Sequence, residues 1–299
     1  MQVSSFVKTL VILLGVTCLP NLLKGQNSTS VSDSVHYRQE IAKFEKELAV
    51  KGMGNSRLYN LAVNHSLLGE GEIAISYLQT AVDNGLLILD AIVDEDLQNT
   101  RTSKKWPAIK KKIIGNWYTY YPFGDAEYAL LLIKMKTEYI LQYRMISKAE
   151  DAYGEDSDEY LNEIQKTREI AKTNGVELDS LIEIHGWPRQ NLVGQEQLRG
   201  AAMILTYSDT IYQKKYLPEI IKAVEYGELD GRYLATLTDK ILISDGEKQL
   251  YGTQYLYNDS TDNYEMAPIE NEIDLDKRRL ELGLDSMDVY LKRINTNQE

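Results

Sequence analysis

The chain has 299 residues, of which 43% are apolar and 26% are charged, an ordinary balance for one or two globular domains. Its 45 acidic and 33 basic residues give a net charge of −12, which argues against a nucleic-acid partner because such proteins need a basic face. One Cys and three His exclude a disulfide framework and a Cys/His zinc finger. We find no metal, P-loop or dinucleotide motif, and we therefore expect no metal site and no cofactor.

The first 25 residues have the pattern of a secretory signal. Lys8 precedes an apolar run from Leu10 to Leu19, which is too short to span a bilayer but matches the apolar part of a signal peptide. We predict cleavage after Gly25. The alternatives are an uncleaved anchor, a buried apolar strand, or lipid attachment at Cys18, whose preceding residues form a poor lipoprotein box.

Cleavage would change the chemistry that is open to the mature chain. Lys8, Lys24 and the one cysteine, Cys18, would be lost, so the net charge would become −14 and no thiol would remain. A thiol enzyme and a thiolate metal site are then excluded. Because no later segment is apolar for about 18 residues, we expect no transmembrane segment in the mature protein. We predict an exported protein, periplasmic or extracellular.

Residues 26–116 have the pattern of a helical module. Apolar residues at helical spacing predict helices over 35–48, 56–68 and 72–82, and Gly69 and Gly71 predict a tight turn between the last two. The stretch Tyr59–Gly85 resembles a tetratricopeptide repeat, with these residues in the expected places: Ala62, Leu68, Gly69, Ala74, Tyr77, Leu78 and Ala81. The resemblance implies a surface for a protein or peptide partner.

Two segments after this hairpin differ in composition from the rest. The basic run from Lys104 to Lys112 is interpreted as a solvated helix face. Residues 117–124 are aromatic and are predicted to be an inter-domain connector whose rings pack at the seam. A carbohydrate-stacking platform is the alternative for these rings.

Residues 125–299 are predicted to form a second, mainly helical domain. Asn174-Gly175 separates two predicted helices, and Pro218 is expected to kink or interrupt another. A β-hairpin is predicted over 240–257, with its turn at Asp245-Gly246. Two short helices, 275–282 and 287–294, follow it. The whole chain is therefore predicted to be mainly α, with helical hairpins followed by a helical domain that carries one small β-hairpin.

An ordered series of short motifs runs through this second domain: His185-Gly186-Trp187-Pro188, Gly194, Leu237-Thr238-Asp239, Gln249, Tyr251-Gly252-Thr253-Gln254, Pro268-Ile269-Glu270, Arg278-Arg279 and Gly283-Leu284. The series resembles an uncharacterised bacterial family that is common in secreted proteins of Bacteroidetes-type bacteria, often behind tetratricopeptide-like helices. The resemblance covers about residues 139–291. It implies a mostly helical domain with a small β-hairpin, and it brings no established activity.

The chain departs from that family's pattern in three places. Leu141-Gln142-Tyr143-Arg144 stands in place of Asp-Gln-x-x-Arg or a similar sequence in the first long helix. Thr206-Tyr207-Ser208-Asp209 stands where the family usually has a Gln-His pair before the Asp, and Asp239-Lys240 where it often has Asp-Arg. A site that depends on the helix His would be altered in this chain.

Four residues are candidates for catalysis: His185, Asp209, Asp239 and Tyr251. If they converge in one cleft, a hydrolase with His185 as general base is conceivable. No G-x-S-x-G elbow supports a serine triad. The alternative is a structural His185 that ends a helix ahead of Gly186.

Four residues are candidates for a polar binding surface: Gln249, Tyr251, Gln254 and Arg278. In the alternative interpretation, the Tyr hydroxyl and Gln amides satisfy buried backbone groups around Gly252, and Arg278 pairs with a carboxylate. A non-catalytic binding or interaction protein of the cell envelope is the leading functional hypothesis, and the hydrolase is the second.

Overall fold

The computed structural model describes residues 31–258, 260–261 and 263–296, so the predicted signal segment lies outside the described residues. Over the described residues the chain forms 13 α-helices and one antiparallel pair of strands. The predicted mainly α fold with one small β-hairpin is therefore confirmed. The elements divide into two compact units, and the division falls inside one long helix, between Ile133 and Lys134.

The N-terminal unit contains five helices and the start of a sixth: α1 (Val31–Lys51), α2 (Asn55–Leu67), α3 (Gly71–Asp83), α4 (Gln98–Arg101), α5 (Trp106–Tyr120) and α6 (Ala126–Tyr153). The first three are the helices that the sequence predicts over 35–48, 56–68 and 72–82. Two 3₁₀ turns, Leu89–Ile92 and Glu95–Leu97, connect α3 to α4.

Helices α2 and α3 form a tight hairpin. Gly69, with φ of 77°, ends α2, and the amide of Glu70 donates back to the carbonyl of His65 at 2.9 Å. Leu61 of α2 and Ala74 and Leu78 of α3 are fully buried. Helix α1 adds its own apolar side chains to Leu61, so that the three helices share one core.

The predicted connector 117–124 is partly helical, which corrects the sequence interpretation. Ile109, Ile113 and Trp117 recur every fourth residue and are buried, so one apolar face extends α5 as far as Tyr120. Phe123 follows in the turn and is 91% exposed.

The C-terminal unit contains the rest of α6 and seven further helices and two strands in order: α7 (Asp158–His185), α8 (Gln190–Val193), α9 (Gln195–Tyr207), α10 (Thr210–Glu225), α11 (Gly231–Ser244), β1 (Tyr255–Asn258), β2 (Asn263–Met266), α12 (Leu275–Glu281) and α13 (Met287–Thr296). Helix α10 continues through Pro218, where the sequence predicts a kink or a break. Pro218 has no N–H to donate within the helix, and its ring crowds the carbonyl four residues before it, yet the helix runs on to Glu225.

Helix α7 also continues where the sequence predicts a break, at Asn174-Gly175. Both residues are buried inside the helix. A Cβ on Gly175 would lie 2.7 Å from the Cβ of Ser208, so the glycine allows the turn between α9 and α10 to approach α7 closely. Asn174 donates to the carbonyl of Met135 at 3.3 Å. Packing therefore explains two residues that resemble a helix stop in the sequence.

The predicted β-hairpin over 240–257 is misplaced. Residues 240–244 form the last turn of α11, because Leu237 and Ile241 lie on one buried face of that helix. Five residues taken alone are too few to show this helical period. Gly246, with φ of 80°, ends that helix instead of turning a hairpin. The strands that pair are β1 and β2, with Tyr255 opposite Met266 and Asn258 opposite Asn263.

The two predicted C-terminal helices are confirmed as α12 and α13. A buried cluster of the C-terminal unit joins α6, α7 and α9 and is rich in tyrosine: Tyr139, Tyr143, Ile146, Ala149, Tyr160, Ile164, Ala171 and Met203. None of the helices over the described residues combines the length and the apolar character of a bilayer-spanning segment.

A pair of glycine substitutions tests the packing role of Gly175. Alanine favours a helix over glycine by about 1 kcal/mol, but at Gly175 its Cβ would collide with Ser208. We expect Gly175→Ala to lower the free energy of unfolding by about 1–2 kcal/mol in urea denaturation.

The matched control is Gly115→Ala in α5, where an added Cβ would have no atom within 4 Å. This change is expected to raise the free energy of unfolding by about 0.5–1 kcal/mol. A stabilising effect at both positions would contradict the close approach at Gly175.

Candidate functional site

The motifs of the C-terminal unit meet at the loop 249–254, which leads from α11 to β1. The carboxylate of Asp239, on α11, has no exposed surface and lies under this loop. It accepts hydrogen bonds from the amides of Leu250 at 2.7 Å, Tyr251 at 3.0 Å and Thr253 at 3.0 Å. The Thr253 hydroxyl donates a fourth bond at 2.8 Å. One side chain thus accepts from three of the six backbone amides of the loop.

Burial sets the electrostatics of Asp239. Removal from water raises the pKa of its carboxyl group, and the bonds from Thr253, Leu250 and Tyr251 oppose that rise because they stabilise the charged form. A carboxylate acts only as an acceptor when it is ionised, which matches the four donors around it. Its acceptor capacity is therefore used by the loop.

Gln249 joins the two ends of the loop to the segment after β2. Its side-chain amide donates to the carbonyls of Gln254 at 3.0 Å and Ala267 at 2.7 Å, and its side-chain oxygen accepts from the amide of Gln254 at 2.8 Å. The Gln249 backbone amide donates to Pro268 at 2.9 Å. Gln249 is fully buried and has partners for both of its polar atoms.

Two arginines of α12 hold the carbonyl side of the same loop. Arg278 donates to the carbonyls of Leu250 at 2.9 Å and Glu270 at 2.6 Å. Arg279, which is 3% exposed, donates to the carbonyls of Tyr251 and Asp285. The Arg279 guanidinium also lies 4.9 Å from the ring centre of Tyr290. The loop is thus fixed by an anion on its amide side and by two cations on its carbonyl side.

The remaining predicted binding residues lie in the same loop. Gln254 is 8% exposed, and its side chain donates to the Thr253 hydroxyl at 2.8 Å. Tyr251 is half-buried, and burial raises the pKa of its phenol. The structure therefore brings Asp239, Gln249, Tyr251, Gln254 and Arg278 together, mostly through bonds to backbone groups.

His185 and Asp209 belong to other elements of the unit than the loop. His185 is the last residue of α7, before Gly186, whose φ of 82° ends the helix. Asp209 follows Ser208, which packs against Gly175 of α7. At about 1.5 Å per residue, the ten positions from Gly175 to His185 span about 15 Å. This separation exceeds the hydrogen-bond reach that a shared acid–base site requires.

Two of the segments in which the chain departs from the expected pattern contact each other. The Lys240 amine lies 4.6 Å from the ring centre of Tyr207, and that ring stacks on Tyr139 at 5.3 Å. Burial alone lowers the pKa of Lys240 to about 8. Burial also raises the pKa of Tyr207.

The comparison with protein families identifies this unit. A model described as a family of unknown function, DUF6624, matches residues 149–298, which is half of the chain. The chain belongs to this family. No curated protein matches the chain, and no solved structure matches it. The loop 249–254 and its partners Asp239, Arg278 and Arg279 all lie inside the DUF6624 domain.

The DUF6624 domain has an apolar concavity beside the loop that the sequence analysis does not predict. Gly252 has φ of 69°, and a Cβ there would lie 2.1 Å from the terminal methyl of Met287. The concavity, of about 380 Å³, is lined by Met266, Ile269, Glu272, Ile273, Leu275, Asp276, Met287 and Leu291. We call it the Met287 groove.

One signal in the sequence points to the Met287 groove. Ile273 stands between Glu272 and Asp274 and is 95% exposed in the structure. A large apolar residue among acidic ones is a weak signal, since single exposed apolar side chains are common. Met266 and Met287 lie far apart in the sequence, so only the fold brings them together.

The described residues contain no group of three or more His, Cys, Asp or Glu side chains arranged to hold a metal ion. This part of the domain therefore combines two features. One is the loop 249–254, which is held by hydrogen bonds. The other is the Met287 groove, whose lining includes the carboxylates of Glu272 and Asp276.

Substitution of Asp239 tests whether it fixes the loop. Asp239→Ala would leave three buried or partly buried amides without an acceptor, and we expect it to lower the free energy of unfolding by about 3–5 kcal/mol in urea denaturation.

Asp209→Ala is the control, because Asp209 is an exposed N-cap residue whose side chain makes no capping hydrogen bond. Its expected loss is about 1 kcal/mol or less. Equal losses in the two variants would contradict the role assigned to Asp239.

Proposed function

We propose that this DUF6624 protein is a non-catalytic binding protein that is exported to the cell envelope. The signal-like pattern of residues 1–25 supports export. The hydrogen bonds and positions of the motif residues favour a binding role over hydrolysis. The Asp239 carboxylate is occupied by four donors, and His185 lies about 15 Å along α7 from the turn that carries Asp209.

A single observation carries the binding proposal: the motif network holds Gly252 against Met287, one of the residues that line the Met287 groove. Buried polar networks of this kind hold a backbone in one conformation when every member is satisfied. Gly252, at the centre of the loop, leaves room for Met287 where any side chain would collide with it. The network thereby keeps the groove open and its shape constant.

The lining of the groove indicates the chemistry of its ligand. Methionine side chains adapt to differently shaped apolar groups, and they are frequent in surfaces that bind varied peptides. Ile273 is 95% exposed at the groove, beside Glu272. We infer that the groove takes a peptide segment with an apolar anchor and basic neighbours.

The N-terminal helices offer a second surface in this proposal. Helices α1 to α3 share one core and resemble a tetratricopeptide repeat over Tyr59–Gly85. Repeat units of this kind commonly present protein-binding surfaces. A protein or peptide partner on this module would give the envelope protein two separate contacts.

Peptide binding tests the proposal. Fluorescently labelled synthetic peptides with one central Phe or Leu, flanked either by Lys or by Glu, are titrated with the purified protein and followed by anisotropy. We expect the Lys-flanked set to bind at least about tenfold more tightly and to weaken with added salt. Ile273→Ser should weaken that binding by about tenfold, because it removes an apolar side chain from the contact.

The matched control is Ile211→Ser, which changes an Ile that is 70% exposed on α10 and does not line the groove. This variant should bind the peptides as the unmodified protein does. The absence of saturable binding by both peptide sets, or an equal loss in the two variants, would count against the proposal.

A further inference from the structure

The charge of the chain is unevenly distributed. Residues 97–124 contain six basic residues and no acidic one: Arg101, Lys104, Lys105, Lys110, Lys111 and Lys112. Because the whole chain carries −12, the rest of it carries −18. A local excess of one sign this large creates a field that reaches beyond the surface.

Most of these lysines carry charge that the protein does not neutralise. Lys112 is paired with Asp83 at 2.6 Å. Lys104, Lys105, Lys110 and Lys111 are exposed, and the described residues offer none of them an ion pair. We call these four residues the α5 lysines.

Helix α5 exposes the side opposite its buried face. Ile109, Ile113 and Trp117 face the core, so Lys111 lies on the opposite side at about 100° per residue. Small exposed residues, Pro107, Ala108 and Gly115, lie on the same side. A partner that approaches from this side can therefore reach Lys111 directly.

Exposed aromatic side chains follow at the C-terminal end of the helix. Tyr118 is 40% exposed, Tyr120 is 65% exposed and Phe123 is 91% exposed. Aromatic rings of this kind are enriched where a membrane meets water, because they have an apolar body and, in tyrosine, a polar end. Lysines and interfacial aromatics on one helix are typical of proteins that bind a membrane surface.

We propose that α5 and the turn after it dock on an anionic lipid bilayer, with the α5 lysines on the headgroup phosphates and the rings of Tyr120 and Phe123 in the interface. The proposal deepens the proposed function and rests on export, since the polyanion that an exported protein meets is the lipid surface of the envelope.

Vesicle flotation tests the proposal with the full protein. We expect binding to vesicles of equal parts phosphatidylglycerol and phosphatidylcholine, little binding to phosphatidylcholine alone, and release at high salt. Each lysine near an anionic surface changes the partition coefficient of the protein between vesicles and water about fivefold. The double change Lys110→Gln with Lys111→Gln should therefore lower this coefficient about 25-fold. Phe123→Ser should also lower binding to the anionic vesicles at low salt, because it removes an apolar contact with the interface.

The control replaces two exposed lysines of the other unit, Lys148→Gln with Lys172→Gln, which makes the same change in net charge. No binding to the anionic vesicles, an equal loss in the control, or tighter binding to a single-stranded oligonucleotide at the same salt would each overturn the proposal. Binding of peptides in the Met287 groove is measured without lipid, so either proposal can fail while the other stands.

Discussion

The backbone of residues 249–254 runs in neither helix nor strand, so its amides and carbonyls must find partners outside regular secondary structure. A buried amide without an acceptor costs about 1–3 kcal/mol, and the loop has several. Asp239 supplies the acceptors for three of them, and the adjoining arginines of α12 supply donors for the carbonyls of Leu250 and Tyr251. The position of the hairpin β1–β2 and of α12 follows from this arrangement.

The same arrangement explains why a polar-looking motif series leads to an apolar groove. The side chains that resemble a binding surface in the sequence are directed at backbone atoms and are largely buried. Their common effect is to hold Gly252 against Met287, where no larger residue fits. Met287 is in turn one of the residues that line the groove.

The two units carry different kinds of surface. The N-terminal unit has exposed lysines and aromatic rings along and after α5, whereas the DUF6624 domain has the Met287 groove with Glu272 and Asp276 on its wall. Basic residues are thus in local excess on one helix of the N-terminal unit, while the groove of the DUF6624 domain carries acidic side chains.

Helices with a clear apolar period could be predicted from the sequence, and the first three helices and the two C-terminal helices are confirmed. Predictions from neighbouring residues were wrong where a contact with a distant residue determines the local structure. Gly175 resembles a helix stop, but Ser208 requires it inside a helix, and Gly246 resembles a hairpin turn although it ends α11. The convergence of Asp239, Gln249 and Arg278 was foreseeable as a motif series, whereas their bonds to backbone atoms depend on a loop path that spacing does not determine.

Amide hydrogen exchange in the unmodified protein tests the central role of Asp239 most directly. The amides of Leu250, Tyr251 and Thr253 lie in a loop, and without the carboxylate they would exchange as fast as amides that have no hydrogen-bond acceptor. The account predicts that all three exchange as slowly as the core amides of α11, because they are released only when the domain unfolds. Fast exchange at these three positions, in a protein whose α11 remains protected, would contradict it.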